Sequence, residues 1–302
     1  MLEVLTKAAT FVAIIFLGYG LRRAGFFRAN DFYTLSKLVL KIALPASIVA
    51  NFAQAQITPS MLVFSLLGLA GGALYVGIGW LMNRGKEPER RAFDMLNLSG
   101  YNIGNFTMPF AQGFLGPAGV VTTSLFDTGN AFVCLGGAYG FAKMVKGGKM
   151  SLGPLLKTMV RSIPFDAYII MTCLTLAHIP LPALAVAFAQ TVGNANAFLA
   201  MLMIGVGFQL SGDFSQIRHI VRILAVRYIV ALGLALGFYF LLPIDLSYRQ
   251  ALVVLALSPI SSANPAFTGE LGEDIGLSSA LNSISIVVSV TAITISLIIL
   301  QP

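Results

Sequence analysis

Between Ala251 and Gly272 a strongly apolar run meets a segment that no α-helix can pass unbroken: Ser258-Pro-Ile-Ser-Ser-Ala-Asn-Pro-Ala-Phe-Thr-Gly-Glu-Leu-Gly272. Pro259 and Pro265 each remove a backbone N–H and clash with the carbonyl four residues back, and Asn264 stands against the second. A similar interruption, Asn102-Ile-Gly-Asn-Phe-Thr-Met-Pro109, lies in the first half of the chain. In water either stretch would be a loop. In a bilayer, irregular backbone persists only where protein buries it or where it lines a wet cavity.

The bilayer reading follows from composition. The chain is 57% hydrophobic and only 10% charged, against about 25% charged for an ordinary soluble domain. Its mean hydropathy is +0.85. The apolar runs are continuous over about 20 residues, the length of a membrane helix, where a β-barrel would alternate over about 10. A soluble enzyme with this core would lack the charges to cover its surface. The fold class expected is therefore all-α and integral to the membrane. Cys134 and Cys173 fall within apolar runs and read as small core residues, with no disulfide or metal motif. The opening Met-Leu-Glu-Val-Leu-Thr-Lys has no basic n-region or small-residue cleavage site, so the first helix is expected to remain in the mature protein.

Ten spans are expected, near residues 4–21, 32–53, 60–82, 93–115, 118–142, 163–179, 183–210, 219–242, 248–271 and 276–300. Fourteen Lys and Arg residues fall in the connections after spans 1, 3, 5 and 7, against Lys7 and Arg249 on the other side. This bias places the odd connections in the cytoplasm and both termini outside. It also explains the formal charge of +7 without nucleic acid. The longest basic connection divides the chain into residues 1–143 and 162–302, with a cytoplasmic linker at 144–161. Five spans on each side mean opposite orientations, the arithmetic of an inverted 5+5 repeat. The interrupted span is the fourth in each half, so spans 4 and 9 are expected to cross.

Several segments in order carry a family likeness: Leu17-Gly-Tyr-Gly-Leu-Arg-Arg-Ala-Gly-Phe26, Leu35-Ser-Lys-Leu-Val-Leu-Lys-Ile-Ala-Leu-Pro45, the Asn102–Pro109 stretch, Phe126-Asp-Thr-Gly-Asn130, and Pro259 to Asn264. Over nearly its full length the chain resembles the auxin efflux carrier family, in the compact prokaryotic branch related to the plant auxin carriers. That family stands within the bile, arsenite and riboflavin transporter superfamily. The resemblance implies a scaffold part from spans 1, 2, 6 and 7 that forms a homodimer. It also implies a transport part from spans 3–5 and 8–10, with two unwound helices crossing near the midplane.

At such a crossing, half-helix N-termini suit carboxylates, while C-terminal ends and free carbonyls suit cations. The substrate class expected is a small organic anion. Candidate binding residues are Asn102, Gly104, Asn105, Thr107 and Pro109 in span 4, with Pro259, Ser261, Ser262, Asn264 and Pro265 in span 9. For any single Ser or Asn, a helix–helix hydrogen bond of about 0.6 kcal/mol is an equally good reading, but Asn105 and Asn264, beside the breaks, are read as site residues. Asp127, with Asn130 one turn on, is an isolated carboxylate deep in span 5 and a functional candidate by default. It either couples a proton to transport or caps the backbone of broken span 4. Lys37 and Lys41 share a face of span 2 and read as snorkelling lysines, with Lys41 alternatively drawing anions inward; Arg227 has the same two readings. Gln209 and Asp213 read as a solvated helix end, and His178 and His219 are not spaced as a metal pair.

No phosphate-binding loop or His-Glu-x-x-His motif is present, and an aspartyl protease built from Asp127 and Asp213 would put one aspartate at a helix end. The chain reads as no enzyme and as needing no cofactor, with H+ or Na+ as the candidate coupling ion. The function expected is transport of a small organic anion by an elevator-like movement, in the cell membrane, for which a bacterial inner membrane is the natural setting. A sodium-coupled symporter of the bile-acid type and an anion channel or uniporter are the alternatives. Expected partners are the substrate, the lipid bilayer and a second copy of the chain.

Overall fold

A computed structural model describes residues 2–28, 30–55, 57–208 and 216–300, with side chains in the first helix from residue 5 onward. Every regular element among them is helical. The first is α1 (Leu2–Arg23), followed by α2 (Asp31–Leu38), which continues through a π-helical turn at Val39–Ala43 into α3 (Leu44–Phe52). Pro45 is the cause of that wide turn: it lacks the N–H that would bond one turn back, and its ring pushes the preceding turn open. After a 3-10 turn at Pro59–Leu62 come α4 (Val63–Met82) and α5 (Pro88–Leu98).

The chain then breaks. It resumes as a π-helical turn at Ile103–Thr107, α6 (Met108–Phe110) and a second π-helical turn at Ala111–Leu115. Next is α7 (Gly116–Phe132), followed by a wide turn at Val133–Gly137, kinked at Gly136, and α8 (Ala138–Val145). The second half holds α9 (Leu152–Val160), α10 (Ile163–Leu176), α11 (Ala183–Gly193), α12 (Ala195–Gly207) and α13 (Ile217–Leu241). It ends with α14 (Leu246–Ala256), a second break, α15 (Asn264–Glu270) and α16 (Ile275–Leu300).

Among the described residues six stretches are long and apolar enough to cross a membrane: Leu5–Arg23, Asp31–Phe52, Pro59–Met82, Ala183–Gly207, Ile217–Leu241 and Ile275–Leu300. A seventh is reached if α9 and α10, bent by 73° at their junction, count as one. The chain is thus a multi-pass α-helical membrane protein. The other expected spans do not form single long helices, because prolines and glycines divide them. Residues 93–115 and 248–271 are split at the two breaks, and 118–142 is kinked where Gly136 takes φ +150°. The segment expected as a linker, 144–161, is partly helical. It contains α9, whose Leu155 and Met159 are buried while Leu152, Leu156 and Val160 stay exposed.

Exposed apolar side chains run along several helices, among them Phe16, Leu66, Ile229, Phe240 and Ile299, each more than 60% exposed. Such belts are what a helix presents to lipid. Inside, α1 packs along α12, and α3 lies against α10 and α11; α4 packs on α5 and α7, α13 on α14, and α15 on α16. Helix association in lipid relies on close van der Waals approach and small residues rather than on hydrophobic burial. Gly129 of α7 shows this: a Cβ there would stand 1.8 Å from the Ser65 carbonyl oxygen of α4. Gly129→Ala is expected to destabilise the protein by about 1–3 kcal/mol, the usual penalty of overpacking. Gly77→Ala on α4, where an added Cβ meets nothing within 4 Å, should leave the melting temperature unchanged. Thermal unfolding of both in detergent checks this, and equal losses would contradict it.

Candidate functional site

The two breaks face each other. Past Leu98 the backbone is extended at Ser99, left-handed at Gly100 with φ +75°, and re-enters a helix after Asn102. A Cβ on Gly100 would lie 2.7 Å from Cys134 Sγ and 3.0 Å from Ser261 Cβ. Both the conformation and the approach of the second break therefore require glycine. One backbone hydrogen bond joins the breaks directly: the Asn102 N–H donates to the Pro259 carbonyl at 2.9 Å.

A cavity of about 430 Å³ opens on one side of this crossing. The first break contributes Asn102, Gly104 and Asn105, the second Ser261 and Ser262, and α7 adds Asp127 and Asn130. Tyr33, Tyr101, Cys134, Tyr168, Lys41 and Arg161 are among its other polar lining residues. Asn105 Nδ2 donates to Ser262 Oγ at 3.2 Å, bridging the breaks across the cavity wall, while Asn105 Oδ1 is buried with no partner among the described residues. A buried acceptor left without a donor is a gap that a bound ligand can fill.

The other candidate residues stand behind the wall. Thr107 is buried, 2.6 Å from Ser258 Oγ and 3.2 Å from the Asn102 carbonyl it donates to. Asn264 is also buried and closes the C-terminus of α5, donating to the carbonyls of Leu96 at 2.8 Å and Ser99 at 3.1 Å. Pro265 occupies a first-turn position of α15, where a missing N–H costs little, whereas Pro109 lies inside the helical run that begins at Ile103 and, like Pro45, follows a π-helical turn. Pro259 contributes its carbonyl to the link between the breaks.

Asp127 bears on both of its expected roles. Its Oδ1 accepts from Asn130 Nδ2 at 2.9 Å and its Oδ2 from the Tyr168 hydroxyl at 3.1 Å. Among the described residues no cation pairs with it. Capping of the broken span falls to Asn130, whose Oδ1 accepts from the Tyr101 N–H at 3.1 Å and whose Nδ2 donates to the Tyr101 carbonyl at 3.0 Å. The second break has a matching brace that the sequence reading missed. Asn282 of α16 donates to the carbonyls of Ile260 at 2.9 Å and Ser261 at 3.1 Å.

Two further expectations change. Arg227 neither snorkels nor faces a vestibule: it is fully buried, its guanidinium donating to the Leu98 and Ser258 carbonyls. Cys173 is exposed and Cys134 half-buried against the cavity, so neither is a core thiol. The His219 Nε2 lies 2.6 Å from Asp94 Oδ1, and Asn83 donates to the other oxygen at 2.8 Å. Lys41 lines the cavity, and Lys37 is exposed away from it. Gln209 and Asp213 lie outside the described residues.

Asn264→Ala would leave the buried Ser99 carbonyl without its donor, at about 1–3 kcal/mol, while the Leu96 carbonyl keeps the Ser99 hydroxyl at 2.9 Å. A lowered melting temperature with ligand affinity retained is expected from thermal unfolding and binding measured on the same sample. Lost affinity at unchanged stability would return Asn264 to the cavity wall.

No curated protein matches the chain significantly. Residues 3–149, close to half of the chain, match a family described as membrane transport protein. That half contains the first break, Asp127 and Asn130. Over residues 3–149 the chain is thus similar to that family of membrane transport proteins, in line with the auxin-efflux-carrier likeness of its motifs.

Proposed function

We propose that the chain carries a small organic anion across the cell membrane, a bacterial inner membrane being the natural setting, and that the anion binds in the cavity at the crossing. The observation that carries this reading is the composition of that cavity. Polar groups from both interrupted helices converge with two basic side chains, Lys41 and Arg161, in a space of about 430 Å³. Sites for small molecules typically run to about 300–1,000 Å³. The half-helix that resumes at Ile103 begins at this wall, and helix N-termini favour carboxylates. Tyr33, Tyr101 and Tyr168 add aromatic surface, so an indole-type acid fits as well as a dicarboxylate.

In this reading the broken and kinked segments complete ten crossings, arranged as two inverted sets of five. Asn130 and Asn282 support that symmetry: each lies on the last helix of its half and braces the interruption of the helix before it. The scaffold is α1, α2, α3, α10, α11 and α12, pairing with a second copy; the remaining helices carry the crossing and move against it. Packing of α1 on α12 and of α3 on α10 and α11 supports the division. The positive-inside bias puts both termini outside and the Arg161 end of the cavity toward the cytoplasm.

Asp127 is the proton-coupling candidate. An ionised Asp127 would repel an anion in the same cavity, so protonation favours binding and affinity rises as pH falls. In proteoliposomes screened with organic acids, Asn105→Ala should weaken half-saturation about 10–100-fold, as expected for losing the hydrogen bond that the second Nδ2–H of Asn105 can give a carboxylate. Asp127→Asn, fixed neutral, should flatten the pH dependence at the wild-type low-pH affinity. Wild-type affinity in the first variant would remove the cavity from the mechanism, and an unchanged pH profile in the second would remove Asp127.

A further inference from the structure

Arg227 sits near the middle of α13 and is 0% exposed. Its guanidinium touches the ends of both interrupted helices, with Nη1 donating to the Leu98 carbonyl at 2.8 Å and Nη2 to the Ser258 carbonyl at 3.2 Å. The Tyr75 and Tyr101 rings flank it, at 4.0 Å and 4.7 Å from centroid to guanidinium carbon. Among the described residues no carboxylate pairs with it. A buried cation without a counterion is unfavourable unless fixed dipoles replace the missing charge.

Here they do. A helix C-terminus carries about half a negative elementary charge, and two of them, those of α5 and α14, converge on this one guanidinium. Their sum is close to the charge of the permanent cation between them. The two tyrosine rings add their negative faces. Free carbonyls and half-helix C-termini meeting at mid-membrane are also the arrangement in which secondary transporters hold a coupling Na+.

We propose that Arg227 is a built-in cation that occupies this position permanently, so that the chain takes no free Na+ between its half-helix ends. The side chain acts behind the substrate cavity. Tyr101 separates the two, lining the cavity while meeting the guanidinium. Arg227 is thus a positioning residue, and the ion that a sodium-coupled relative would have to bind and release is here tied to α13. The inference rests on the transport reading only for what the cation is for; its occupancy can be read without any substrate.

The experiment is thermal unfolding of the purified protein in NaCl, KCl and N-methylglucamine chloride at equal ionic strength. Wild type is expected to melt at the same temperature in all three. Arg227→Ala vacates the position but leaves the Leu98 and Ser258 carbonyls as ligands, so it should melt lower in N-methylglucamine and regain several degrees in Na+ or in dilute guanidinium. Arg227→Lys, which keeps a tethered charge, should remain indifferent to Na+. A Na+-specific rise in wild type or in Arg227→Lys overturns the proposal, as does an Arg227→Ala protein that folds and responds to neither cation. Should Arg227→Ala fail to fold, wild type and Arg227→Lys still decide. Because no transport is measured, a failed transport reading would leave these outcomes intact.

Discussion

Two helices that stop at the same place inside a membrane protein leave a concentration of unpaired carbonyls, and what receives those carbonyls decides whether the fold can exist. α5 ends with Leu96, Leu98 and Ser99 directing carbonyls inward, and α14 ends with Ser258 doing the same. Arg227 receives Leu98 and Ser258, and Asn264 receives Leu96 and Ser99. Asn130 and Asn282 hold the backbone on the far side of each break. Remove these donors and each orphaned carbonyl costs about 1–3 kcal/mol, a large share of the usual 5–15 kcal/mol margin. The crossing is therefore stabilised by side chains from α13, α16 and α7 together with Asn264, which the second interrupted helix lends to the end of the first.

This arrangement gives the crossing two unlike faces. Behind it lie the C-terminal ends, Arg227 and the buried Thr107–Ser258 contact, closely packed and electrically closed. In front lie Asn105 with its unpartnered oxygen, Ser262, and the uncompensated Asp127. On the rear face the protein engages both Nη atoms of Arg227 and leaves only its Nε without an acceptor, and polarity on the front face is available to a ligand. The division explains why residues adjacent in sequence serve different ends. Ser261 and Ser262 reach the cavity, whereas Asn264, two positions on, turns away to hold α5.

The breaks themselves were legible because proline and asparagine act locally: a lost N–H and a ring clash interrupt a helix whatever surrounds it. Asp127 stood out for a similar reason, as a carboxylate in an apolar run. The partners were not legible. Tyr168 lies 41 positions from Asp127 and Asn282 lies 22 from Ile260, and nothing in local pattern distinguishes a tyrosine or asparagine that reaches a distant backbone from one that does not. Arg227 was misread because a mid-helix arginine is ordinarily explained by snorkelling; here its counter-charge is helix dipoles, which have no sequence signature. The two breaks in corresponding halves were the available hint, since dipole ends meeting in pairs demand a cation.

The central claim is that the front face of the crossing is a substrate site open to water. Cys134, half-buried against that cavity, reports on it. In a Cys173→Ala background, a membrane-impermeant methanethiosulfonate applied to inside-out vesicles should modify Cys134, and an organic acid that the protein exchanges should slow the modification. Modification at the same rate with and without such an acid would place the substrate elsewhere and contradict the account.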